Sequence, residues 1–119
     1  MVHIELKRIY EPFADSDGVR ILVDRLWPRG VSKERARLDY WAKEIAPSHE
    51  LRKWYGHQPS RWPEFQKRYS AELDAQPEKV EELIKRIKGK HATFLFSSKE
   101  EELNNAAALR NYIHERLPD

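Results

Sequence analysis

The chain has no cysteine. That excludes a disulfide framework, a thiolate nucleophile and any cysteine-ligated zinc or iron–sulfur cluster. Small secreted scaffolds depend on such staples and are excluded with them. Long apolar runs are missing too. Met1 to Arg8 carries charges every few residues and lacks the apolar core of a signal peptide. No segment approaches the roughly 20 apolar residues of a membrane span. The expected location is therefore the cytoplasm, with no membrane partner. Catalytic signatures are also absent. There is no Gly-x-Gly or Gly-Lys-Ser/Thr phosphate loop and no Gly-x-Ser-x-Gly nucleophile elbow. The five histidines, His3, His49, His57, His91 and His114, show no His-x-x-x-His spacing, so no metal ligand is assigned. No repeat, low-complexity tract or linker interrupts the chain.

What is present is one domain's worth of sequence. A length of 119 residues fits a single α/β domain over 1–119, long enough to bury a core without staples. Charged residues make up 35 % of the chain, yet the net charge is only +2, which argues against wholesale coating of nucleic acid. Mean hydropathy is −0.87 and the pI near 8.9, as expected of a soluble protein. The charge is uneven. Arg20 to Ala71 holds 12 Lys/Arg against 6 Asp/Glu, and the flanking stretches are each net acidic. Trp27, Trp41, Trp54 and Trp62 all fall in this basic segment. Basic charge interleaved with large aromatics is typical of anion-facing and nucleic-acid-facing surfaces. The competing reading is that the tryptophans pack inward and the arginines are solvated.

Periodicity supplies the elements. Alternation over His3–Ile9 predicts a strand, and the nearly continuous apolar run Val19–Asp24 predicts one buried on both faces. His91–Phe96 reads as a second buried strand. Leu38–Ala46 fits neither period and is taken as a short strand ending before Pro47. Ser32, Ser48 and Ser60 are candidate caps for three helices: Lys33–Arg37, one through Leu51 and Trp54 to Gly56, and one bearing the stripe Trp62, Phe65, Tyr69 and Leu73. Pro77 starts a helix that buries Val80, Leu83, Ile84 and Ile87 and ends at Gly89. Its outer face carries the pairs Glu81–Lys85 and Glu82–Arg86. A last helix over Leu103–Arg116 buries Ala106, Leu109 and Ile113, before Pro118. Strands separated by long helical stretches need crossovers, so the fold class is α/β, a mostly parallel sheet flanked by helices.

Ligands of open α/β sheets bind outside the carboxyl ends of the strands. There the second strand delivers Asp24, Arg25, Trp27 and Arg29, and the last strand delivers Ser97, Ser98 and Lys99, followed by Asn104 and Asn105. Arg25 and Arg29 offer planar forks for phosphate or carboxylate, and Trp27 offers a stacking face. Lys43, Arg52, Trp54 and Arg61 extend the candidate ligand-binding set. Asp24, and His57 in the turn Gly56-His57-Gln58-Pro59, are the candidate proton-transfer groups.

The segment Val19-Arg20-Ile21-Leu22-Val23-Asp24-Arg25-Leu26-Trp27-Pro28-Arg29-Gly30 resembles the signature of the YeaO-like branch of the domain of unknown function 488 family. Similar to that family too are Trp41 to Ser48, Leu51 to His57, and Arg61-Trp62 with Phe65, Arg68-Tyr69 and Glu72-Leu73. Thr93 to Ser97 leading to Asn104-Asn105-Ala106 completes the match, which spans nearly the whole chain. The resemblance implies a compact cytosolic α/β domain of bacteria or archaea. It implies no substrate and no catalytic residue.

Three uses of the basic segment follow. The first is a site that binds or processes a phosphate-bearing or otherwise anionic small molecule, such as a nucleotide. The second is a nucleic-acid-binding module using the same face for phosphates and unpaired bases. The third is a regulatory domain docking on a partner through exposed tryptophans. Cofactor and oligomeric state are left open.

Overall fold

The computed structural model of the chain describes residues 3–116. Its elements run β1 (His3–Arg8), β2 (Val19–Leu22), α1 (Lys33–Ala36), β3 (Tyr40–Trp41), α2 (His49–Tyr55), α3 (Trp62–Asp74), α4 (Pro77–Ile87), β4 (His91–Phe96) and α5 (Asn105–Arg116). The four strands form one sheet in the order β1-β4-β2-β3, with every pairing parallel. The α/β expectation is met, and the sheet is wholly parallel among the described residues. Pro118 lies outside them.

Strand periodicity divides the sheet into two unequal faces. Ile4, Ile21, Val23, Ala92, Phe94 and Phe96 point into the larger core, where they meet Leu51, Phe65, Tyr69, Leu73, Val80, Leu83, Ile87, Leu109 and Ile113 from α2 to α5. Leu22 and Leu95 point the other way, into a smaller core closed by Ile9, Val31 and Ala36. Each such Leu, Ile or Phe contributes about 1.5–3 kcal/mol by leaving water. The second face also holds a buried charge. Arg20, 1 % exposed within β2, pairs with Asp17 and donates to the Ala36 carbonyl through Nε (3.2 Å) and Nη2 (2.8 Å). Its charge belongs to the fold and not to a ligand surface.

Several element boundaries differ from the sequence reading. β2 ends at Leu22 because its partner β3 pairs only Tyr40 and Trp41, opposite Ile21 and Leu22. The rest of the ambiguous segment, Lys43–Ile45, is a single 3-10 turn. Ser32 and Ser48 cap α1 and α2 by accepting from Arg35 and Leu51 N–H, and Gly56 closes α2 in the left-handed conformation. Ser60 caps nothing. It sits inside a 3-10 turn, Pro59–Arg61, which runs directly into α3 with Arg61 at the cap position. On α4, Arg86 pairs with Glu82 at 3.2 Å, while Glu81 and Lys85 form no ion pair and Ile84 is only partly buried. α5 begins at Asn105, two residues later than read, because Asn104 caps it by accepting from Ala107 N–H at 2.9 Å.

The chain order creates a crevice. β2 and β4 are neighbours, but α1 after β2 packs on the smaller core and α5 after β4 on the larger. Their connections part at the carboxyl ends of the two strands, the arrangement that opens a ligand site in doubly wound sheets.

Candidate functional site

A cleft of about 600 Å³ lies at that parting point. Asp24 and Leu26 come from the β2 end, Ser97 and Ser98 from the β4 end, and Asn104 and Asn105 from the start of α5. His49, Arg52 and Lys53 of α2, with His57 just beyond it, form the opposite wall over a floor of Tyr55 and Phe65. The volume suits a small molecule rather than a polymer groove.

The strand-end side is held by a polar clamp. Asp24 Oδ2 accepts from the Ser97 N–H (2.9 Å) and hydroxyl (2.8 Å), and Oδ1 accepts from Asn105 Nδ2 (3.1 Å). Asn105 Nδ2 also donates to the Val23 carbonyl at 2.9 Å, and Trp41 Nε1 donates to the Asp24 carbonyl at 2.8 Å. From β1, Arg8 donates to the carbonyls of Ser98 (2.8 Å) and Ser97 (3.1 Å). Asp24 thus ties β2 to β4 and α5, with both oxygens engaged by donors of the protein. It does not pair with Arg25.

The opposite wall is cationic and less tethered. Arg52, Lys53 and His49 are exposed on one side of α2. His57 has φ 57°, a left-handed conformation that favours glycine and costs about 1–2 kcal/mol for other residues. Its ring stands 6.1 Å from that of Tyr55. Burial, reinforced by Glu100, pushes the Tyr55 phenol up, so it stays protonated and donates to the Leu103 carbonyl at 2.7 Å. The Leu103 and Glu102 N–H groups hold Glu100 below the usual carboxylate range against the opposing effect of desolvation, with His57 adding to the lowering. Among the described residues, no three His, Asp or Glu ligand atoms converge in this cleft.

Seven of the residues that the sequence places at the site line the cleft: Asp24, Arg52, His57, Ser97, Ser98, Asn104 and Asn105. The others do not, and Lys99 is exposed outside its lining. Arg25 donates to the carbonyls of Ala46 (2.8 Å) and Pro47 (3.3 Å). Trp27 packs edge-on against Trp41 at 5.3 Å and donates to the Val31 carbonyl at 2.6 Å. Arg29 is exposed beyond it, its carbonyl accepting from the Tyr10 hydroxyl at 3.0 Å. Lys43 sits over the Trp41 ring at 4.8 Å. The guanidiniums of Arg61 (5.2 Å) and Arg68 (4.2 Å) both approach the Trp54 ring, and Arg61 also donates to the Trp54 carbonyl. All four tryptophans are partly buried, and Leu26 at the cleft rim is the one large hydrophobic residue exposed among the described residues, at 66 %. The sequence reading missed His49, Lys53, Leu26, Tyr55 and Phe65 as lining residues. The first two were legible as neighbours of Arg52 on the exposed side of α2.

A wholly parallel sheet with a strand-end cleft defines a small doubly wound α/β domain. A family model described as "Inactive DUF488-N3 subclade" matches residues 3–119. The chain belongs to this subclade of the DUF488 family. It is 41 % identical to the uncharacterised protein YeaO of Escherichia coli K12 over 112 residues, 94 % of this chain and 97 % of YeaO. It is 50 % identical over 70 residues to uncharacterised proteins of Mycobacterium tuberculosis H37Rv and Mycobacterium bovis, 59 % of each chain. No solved structure matches. No helix among the described residues is long and apolar enough to cross a membrane.

Proposed function

We propose that the protein binds an anionic small molecule of nucleotide-like character in the strand-end cleft, in the cytoplasm, and does so without turnover. The observation that carries this reading is the two-sided construction of the cleft. Arg52 and Lys53 supply positive charge along one wall, His49 and His57 add ring nitrogens there, and Tyr55 and Phe65 supply an apolar floor. A molecule with a charged group and a flat apolar part meets both. The amino terminus of α5, opening on the opposite wall, adds a dipole of the same sign.

Two observations favour binding over processing. Asp24 accepts three hydrogen bonds from Ser97 and Asn105, so its oxygens are occupied in holding the strand ends together. The description of the matching subclade as inactive agrees with that. A nucleic-acid surface receives less support, because Arg61 and Arg68 already cover Trp54.

The test is isothermal titration with inorganic phosphate and a panel of mono- and dinucleotides. At least one of these anions binds the wild type, and Arg52→Ala weakens it tenfold or more, whereas Arg29→Ala, outside the cleft, leaves it unchanged. Equal loss in both variants, or salt-sensitive binding of oligonucleotides alone, contradicts the assignment.

A further inference from the structure

At the other end of the sheet, the parallel pairing of β1 with β4 sets His3 directly beside His91. Their rings stack at 4.6 Å. Glu5 is two residues along from His3, so strand periodicity puts it on the same face. That is the thinly covered face, because the intervening Ile4 points into the larger core. One ligating atom from each of His3, Glu5 and His91 lies within 4.8 Å of the others. Eighty-seven positions of sequence separate the two histidines, which is why no spacing motif discloses them.

The His91 ring nitrogen is the distinctive part. Nε2 is buried and, among the described residues, has no hydrogen-bond partner. Glu5 Oε2 is only 2.8 Å away, but the contact does not have hydrogen-bond geometry. A nitrogen and a carboxylate oxygen held 2.8 Å apart can serve as two ligands of one ion. Ligand pairs on a cation with bonds of about 2.0–2.1 Å stand roughly 3.0–3.5 Å apart, close to this spacing. His3 and Glu5 are exposed, so their side chains are free to complete the approach. His91 is more confined, because both its backbone and its ring lie against Gly18, where an added Cβ would stand 2.3 Å from the carbonyl oxygen and 3.1 Å from ring Cδ2. The site thus has one confined ligand and two adjustable ones.

We infer that His3, Glu5 and His91 form a binding site for a divalent first-row transition-metal ion of the zinc class. Two imidazoles and one carboxylate form a donor set that suits zinc, cobalt or nickel and disfavours calcium or magnesium, which take oxygen ligands. Three protein ligands leave further positions for water. The ion clips the amino end of the edge strand β1 to the central strand β4, remote from the strand-end cleft. Its binding is independent of the anion ligand proposed above.

Calorimetric titration of tag-free protein with zinc chloride in a non-chelating buffer tests the site. One zinc ion per chain binds, raising the thermal midpoint, and magnesium chloride has no such effect. Glu5→Gln and His3→Ala each weaken zinc binding tenfold or more without altering the metal-free midpoint, since both side chains are exposed. His91→Ala removes the stoichiometric site, and His114→Ala, on α5, leaves it intact. Absence of stoichiometric binding by the wild type overturns the inference. So does a zinc site that keeps its affinity in both Glu5→Gln and His3→Ala, which would place the ion on other histidines.

Discussion

Asp17 shows how a single residue can control a region without touching the cleft. It is buried, pairs with Arg20, accepts from Lys7 Nζ at 3.0 Å and from the Ala14 N–H at 3.1 Å, and its carbonyl accepts from the Thr93 hydroxyl at 2.8 Å. Desolvation alone would raise its pKa, but Lys7, the Ala14 N–H and Arg20 together outweigh it, and the carboxyl is held below its usual value. A depressed carboxylate stabilises the fold above its unfolded pKa of about 3.9, and that stability is lost as pH falls through the folded value. Urea denaturation is expected to show stability falling below about pH 4, with a shallower fall in Asp17→Asn. Asp17→Ala leaves Arg20 buried without its counter-ion and is expected to cost about 3–5 kcal/mol near neutral pH. Next to it, Gly18 has φ 66° and ψ −132°. Gly18→Ala meets both that backbone and the His91 carbonyl, and a loss of at least about 2 kcal/mol in the same assay is the expected result.

Among the elements, those with a sustained period were legible and those defined by tertiary partners were not. β1, β2, β4 and α4 follow from alternation, apolar runs or i, i+3, i+4 spacing, because each buries one continuous face or two. Leu38–Ala46 resisted because it serves both cores at once. Tyr40, Ala42 and Ile45 face the larger and Leu38 and Trp41 the smaller, while only two residues pair with β2. The serine caps make the same point. Ser48 and Ser60 look alike in sequence, but only Ser48 accepts from the helix it precedes, with the Leu51 N–H at 3.1 Å, and it also donates its hydroxyl to Glu72 at 2.5 Å. Ser48→Ala is expected to cost about 1–2 kcal/mol in chemical denaturation. Ser60→Ala is expected to stay within about 0.5 kcal/mol of the wild type.

For the whole molecule, topology located the cleft and composition misled about its walls. The strand-end rule placed Asp24, Ser97, Asn104 and Asn105 at the carboxyl ends of two strands, and the pairing of β2 with β4 brings them together. The basic character of Arg20 to Ala71 did not translate into one surface. Arg20 and Arg25 spend their guanidiniums on carbonyls of the chain, and Arg61 and Arg68 on Trp54. An arginine's charge is visible in sequence, but whether the fold already uses its donors is not. What remains at the cleft is a short cationic wall on α2, facing a strand-end clamp built around Asp24. Amide chemical-shift mapping during titration with the tightest-binding nucleotide of the panel tests this arrangement most directly. Perturbations are expected to concentrate at Asp24, Ser97, Ser98, Asn104, Asn105 and from Arg52 to His57. Perturbations centred instead on Arg29 and the smaller core, or spread thinly over the exposed lysines and arginines, would contradict this arrangement.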